Sequence, residues 1–131
     1  MPNLITEKLE NHFPIPVLIR QFGDLEVLNY AINELIEELA RRYQESSRNA
    51  ATNGSSTTQG GYQTIASEDF LDIKNPHIYD LRDKIILPSV EEYFSRALNT
   101  DPLFLKFKLH SWANRLGKGN WQSPHIHPNE Y

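Results

Sequence analysis

Between residues 25 and 43 the apolar side chains Leu25, Leu28, Ile32, Leu35, Leu39 and Tyr43 recur every three or four positions, which places them on one stripe of an α-helix. Asp24, following Gly23, is a residue type that caps such a helix. The opposite face offers Glu37 with Arg41 and Glu38 with Arg42, each pair one turn apart. The pattern predicts one amphipathic helix from Asp24 to about Ser46. A second helical stretch starts at Asn75-Pro76, since asparagine caps and proline fits the first helical position. Ile78, Leu81 and Ile85 form one stripe there, and Val90, Tyr93, Phe94, Ala97 and Leu98 form another beyond Pro88. Proline lacks an amide donor and clashes with the preceding turn, so a kink or break is expected around Leu87. Asn99-Thr100-Asp101-Pro102 ends the helical region.

Period-two patterns mark the strands. Leu105, Phe107 and Leu109 alternate with Lys106, Lys108 and His110, which predicts a half-buried strand from Leu103 through Trp112. The run Asn114 to Gly119 is a glycine-containing turn, and Trp121 to His127 reads as the returning strand paired with the first. Phe13 to Arg20 is β-prone but holds Pro14 and Pro16, so it suits an edge strand. Residues 46–61 are rich in Ser, Thr, Asn and Gly and have too little apolar surface to offset the entropy of ordering them, which predicts a flexible internal loop.

Composition narrows the function classes. At 131 residues the chain fits a single domain with one core, spanning 1–131. A net charge of -4, with the few basic pairs local, gives no footprint for nucleic acid. The absence of cysteine excludes disulfides and thiolate metal sites. The first residues lack the basic and apolar segments of a secretion signal, and no stretch reaches membrane-spanning length, so no membrane partner and a cytoplasmic location are expected.

The most specific chemistry lies in Gly119-Asn-Trp-Gln-Ser-Pro-His125-Ile-His127-Pro-Asn-Glu-Tyr131. Two imidazoles one residue apart on an extended strand point the same way, with Cα atoms ~6.6 Å apart, so both can approach one metal ion. Two ligands are half a site, because a catalytic metal normally takes three from the protein. No residue after Tyr131 supplies the third, and an incomplete domain is the expectation.

Three segments in order carry a resemblance: Gly60-Gly61-Tyr62-Gln63-Thr64, the kinked helix from Leu81 to Leu98, and Ser111-Trp112-Ala113-Asn114 followed by Gly119 and Pro124-His125-Ile126-His127-Pro128. Together they resemble the 2-oxoglutarate/iron(II)-dependent oxygenases of bacteria and phages. The resemblance implies an α+β fold: the N-terminal part of a double-stranded β-helix, jelly-roll or cupin-like, with two helices packed on it and the barrel incomplete. It implies Fe(II) and 2-oxoglutarate as cofactors and a hydroxylase-type oxidation of an unknown small-molecule or protein substrate. By position, His125 matches the first iron ligand. His127 stands where the wider superfamily has Asp or Glu, so it is either a ligand or a residue behind one. Asn114 is a cosubstrate contact on this view and a turn asparagine on the simpler one. The family's later strands, distal histidine and basic 2-oxoglutarate partner have no counterpart, which implies that this chain is inactive alone and assigns it no catalytic residue.

Two other readings stand beside this one. Gly119 and His125-x-His127 also match the opening of the cupin metal motif, although Glu130 falls one residue short of the glutamate position. A non-catalytic binding or phage assembly module would self-associate through exposed strand edges. Trp112 and Trp121 are expected in the core rather than in a pocket wall. His110 is expected to face solvent, while His12 and His77 suggest no role.

Overall fold

Backbone pairing joins β1 (Asn3–His12) and β2 (Ile15–Gly23) into an antiparallel ribbon, and β2 alternates exposed and half-buried residues. The computed structural model describes residues 2–12, 15–47, 58–64, 69–104 and 106–125. The chain divides into two compact units, Met1–Ile32 with Leu71–Leu109, and Asn33–Phe70 with His110–Tyr131. In the ribbon Glu7 stands opposite Arg20, Leu9 opposite Leu18 and Lys8 opposite Ile19, with a register irregularity between Leu4 and Thr6. Opposed residues share a face. The expected edge strand is therefore present, longer than its sequence signal, and Pro16 is tolerated because the ribbon has only two strands. Its partner β1 is an addition to the sequence reading.

The rest of the first unit is one helical run. Asn75 caps α2 (Pro76–Leu81), its Oδ1 accepting the N–H of His77 at 2.8 Å. A π-turn over Arg82–Ile86 leads straight into α3 (Leu87–Ala97). The expected break at Leu87 is thus replaced by a wider turn. The N–H of Leu87 reaches back five residues to the carbonyl of Arg82, which shifts the hydrogen-bond register just ahead of Pro88, the residue that has no N–H to give. Ser89 donates its hydroxyl to the Ile85 carbonyl at 2.5 Å and so satisfies an acceptor near this defect. Asn99 ends the run at φ 48°, and the N–H of Thr100 bonds back to Phe94 at 3.1 Å. Among the described residues of this unit, Ile78, 0 % exposed, and Leu71 are the buried apolar ones. Burial of an isoleucine of this kind is worth about 1.5–3 kcal/mol. Tyr93 donates its hydroxyl to the Pro16 carbonyl at 3.3 Å, and Arg20 donates to Ser89 Oγ at 3.1 Å, fastening β2 to α3.

Helix α1 spans Glu26–Ser47, as its periodicity predicts. Asp24 has φ 55°, a left-handed backbone that a capping residue does not adopt, so it forms the turn into α1 rather than its cap. Ala40 is buried, and Leu35, Leu39 and Tyr43 are half-buried beside it. Of the two expected ion pairs, Glu38 with Arg42 forms at 2.7 Å. Arg41 turns to Glu38 as well, at 2.5 Å, because Glu37 pairs with Arg115 at 2.5 Å.

In the second unit the chain returns as short antiparallel ladders: β3 (Thr58–Gln59) with β6 (Trp121–Gln122), and β4 (Tyr62–Gln63) with β5 (Asn114–Arg115). The expected strand from Leu103 to Trp112 is not formed. Pro102–Phe104 is a 3-10 turn, residues 106–113 carry no strand, and Trp121 pairs with Gln59 instead. Alternation gives a segment two faces but does not supply a neighbouring backbone to bond to. The fold is α+β. Among the described residues the strands form three two-stranded ladders and close no barrel. Residues 46 and 47 finish α1 and residues 58 and 59 form β3, so the core of the expected 46–61 loop, residues 48–57, lies outside the described residues. Among the described residues no helix is long and apolar enough to cross a membrane.

Candidate functional site

The strand-turn-strand segment 114–125 carries both sequence-predicted site residues that the structure describes, Asn114 and His125. Its turn is set by residue type. The N–H of Asn120 bonds the Gly117 carbonyl at 3.0 Å, and Asn120 Oδ1 accepts the N–H of Gly117 at 2.7 Å. Gly119 takes φ 82°, which suits glycine at the third position of a tight turn. Opposite it, Gly60 has φ 76°, and a Cβ there would lie 2.6 Å from Asn120 Nδ2. The Gly60-Gly61 pair is thus a place where the facing turn comes close.

Just ahead of that segment, Ser111 and Ala113 are bonded to Thr64, Asp69 and Phe70. The N–H of Thr64 bonds the Ala113 carbonyl at 3.0 Å, and Thr64 Oγ1, on a buried side chain, accepts the N–H of Ala113 at 2.9 Å. Asp69 Oδ1 accepts the N–H of Ser111 at 2.8 Å, while the N–H of Phe70 bonds the Ser111 carbonyl at 2.9 Å. These bonds satisfy buried polar groups that a regular ladder would otherwise pair. Asp69 and Asn120, two of the side chains that hold this arm, are not singled out by the sequence pattern. Only their type, short side chains with oxygens that bond nearby backbone, could have drawn attention to them. His110 is exposed as expected, with Nδ1 3.7 Å from Asp69 Oδ1, an ion pair only when the imidazole is protonated.

Asn114 sits in β5 opposite Gln63 and is exposed, so it is a strand residue and not a turn asparagine. His125 lies three residues past β6, also exposed, with Nδ1 2.9 Å from the Ser123 carbonyl. A carbonyl accepts only, so Nδ1 is the donor in this contact, and a neutral ring so bonded has its lone pair on Nε2. Metal-binding histidines are commonly oriented in this way. One imidazole therefore fits a metal. Among the described residues no three His, Cys, Asp or Glu side chains gather around a common point, and His127 lies outside the described residues. Trp112 and Trp121 are 39 % and 55 % exposed, which corrects the core expectation.

Beside α1, Glu34, Glu37, Glu38, Ala40, Arg41 and Arg115 line a polar cavity of about 390 Å³. Hydrogen bonds from Arg41, then Arg42, hold the Glu38 carboxyl below its usual range. Burial, and secondarily the neighbouring Tyr43, pushes the Tyr62 phenol up. The two rings are 5.5 Å apart.

In the first unit an open groove of about 670 Å³ runs between β2 and the helical run, walled by Leu18, Phe22, Ile85, Val90 and Phe94 with Arg20 as its charged member. Arg20 Nε is buried and lies 2.9 Å from Glu7 Oε2, an ion pair that lacks the alignment of a hydrogen bond. Glu7 also pairs with Arg96 of α3. Protein-family models, characterised proteins and solved structures offer no match to this chain.

Proposed function

We propose that this chain carries part of the iron site of a double-stranded β-helix oxygenase dependent on iron(II) and 2-oxoglutarate, with His125 as a ligand. The observation that carries the reading is the Ser123 carbonyl on His125 Nδ1, which fixes the tautomer that presents Nε2 at the end of the 114–125 segment. His127, two residues further along the sequence, is the second candidate ligand, and Asn114 the candidate cosubstrate contact. Iron with 2-oxoglutarate would supply the oxidising power to hydroxylate an unactivated carbon, while the protein supplies geometry and shelter from water. Two neutral imidazoles leave the ion largely solvated, so the reading requires a carboxylate to complete the ligand set. The substrate class stays open between a small molecule and a protein, and the location that goes with the reading is cytoplasmic. Anaerobic titration with iron(II) tests it: the chain should bind the ion weakly and His125→Ala should abolish that binding. Iron binding that survives His125→Ala would contradict the assignment.

A second reading, a non-catalytic binding module, is favoured by one observation. Ile15, Val17 and Ile19 form a β-branched row on the outer face of β2, exposed at 63 %, 38 % and 46 %. If His125→Ala leaves iron affinity unchanged, this reading replaces the first.

A further inference from the structure

The β1–β2 ribbon has two edges, and they differ. β2 carries Pro16, and a proline in a ladder sits with its missing N–H toward the outside, which blunts that edge. β1 has no proline between Asn3 and His12, and among the described residues no strand lies along its far side. Its regular stretch is bounded by the irregularity between Leu4 and Thr6, leaving Thr6 to His12 in unbroken register. The midpoint of that stretch is Leu9.

We propose that β1 pairs with β1 of a second copy of this chain, antiparallel about a two-fold axis through Leu9, to give a four-stranded sheet. Charge selects this centre. Lys8 and Glu10 stand on the solvent face, paired with each other in the single chain. With the axis at Leu9, Lys8 of each copy faces Glu10 of the other, so two opposite-charge pairs form across the new seam. Moving the axis to Lys8, Glu10 or Glu7 sets each of those charges against itself. An axis between residues would put opposed side chains on different faces of the sheet. The extent of the regular stretch and the charge pattern thus give the same centre independently. Exposed pairs of this kind choose a register more than they supply affinity, which comes from the backbone ladder and the Leu9 contact. The inference does not rest on the iron reading, and either can fail alone.

Sedimentation equilibrium over a range of loading concentrations tests it. The wild type should rise from 15.2 kDa toward twice that mass. Lys8→Glu or Glu10→Lys should each weaken the dimer about tenfold or more, because opposed like charges repel, and the double exchange should recover it. Neither position touches the Glu7 pairs with Arg20 and Arg96, so circular dichroism should be unchanged. The chain has no cysteine, so Leu9→Cys would also cross-link across the axis on mild oxidation, faster than Val27→Cys on exposed helix. A wild type that stays at 15.2 kDa, a dimer indifferent to the single reversals, or Leu9→Cys oxidising no faster than Val27→Cys would overturn the proposal.

Discussion

Asn120 fills the space that a side chain at Gly60 would need: a methyl group there would fall 2.6 Å from its Nδ2, while its Oδ1 closes the turn at Gly117. Gly60→Ala should therefore cost more than the backbone alone, about 2–4 kcal/mol from positive φ and the displaced amide together. Gly119→Ala, with φ 82° but nothing within 4 Å, should cost only the backbone part, about 1–2 kcal/mol. Urea unfolding of both variants checks the difference. Equal losses would mean that Asn120 yields freely.

Ser89 answers the helix defect that Pro88 introduces. Ser89→Ala removes the donor to the Ile85 carbonyl and the acceptor for Arg20 Nη1, and should destabilise the protein by about 1–2 kcal/mol. Ser89→Thr, which keeps the hydroxyl, should lose less. Denaturant midpoints of the two variants decide it.

Glu7 holds two guanidiniums, and the Arg20 side chain is only 17 % exposed. Removing the carboxylate leaves a partly buried cation without its counter-charge. Glu7→Ala should cost about 1–3 kcal/mol, and Arg20→Met should cost less in the Glu7→Ala background than in the wild type. A double-mutant cycle gives the coupling directly, and purely additive losses would mean the pair is incidental.

Tyr62 supplies a pH test. Its phenol is pushed above the ordinary value of 10.0, by burial first and by Tyr43 second. Below that value the folded and unfolded chains bind the same proton and nothing is lost. As pH rises through it the unfolded chain ionises first, so stability falls until the folded phenol also titrates. Tyr62→Phe should flatten this alkaline loss in thermal melts taken above pH 10.0. An unchanged slope would place the loss elsewhere.

The helices were legible because each is written in local signals: the stripe from Leu28 to Tyr43, the Asn75-Pro76 start and the Asn99 stop all act within a few residues. Pro88 was read correctly as a defect but not as a π-turn, since that outcome depends on Ser89 and on the carbonyls free to rebond. The sequence pattern conceals strand β1 because Glu7, Lys8 and Glu10 hide its alternation, and the role of Glu7 appears only when Arg20 and Arg96 are in place. The opposite error occurred at Lys106 to His110, where clean alternation met no partner backbone. At the candidate site, spacing singled out His125, but the carbonyl of Ser123 that orients it depends on backbone conformation, which side-chain identity does not state.

The most direct test of the iron reading is to follow the imidazole resonances of all five histidines during anaerobic titration with paramagnetic iron(II). Fixed by the Ser123 carbonyl, His125 should coordinate through Nε2 and broaden first, together with His127, ahead of His12, His77 and His110. The His125→Ala variant should lose the specific broadening at His127. Uniform broadening of all the histidines, or binding centred on His77 or His110, would contradict the assignment.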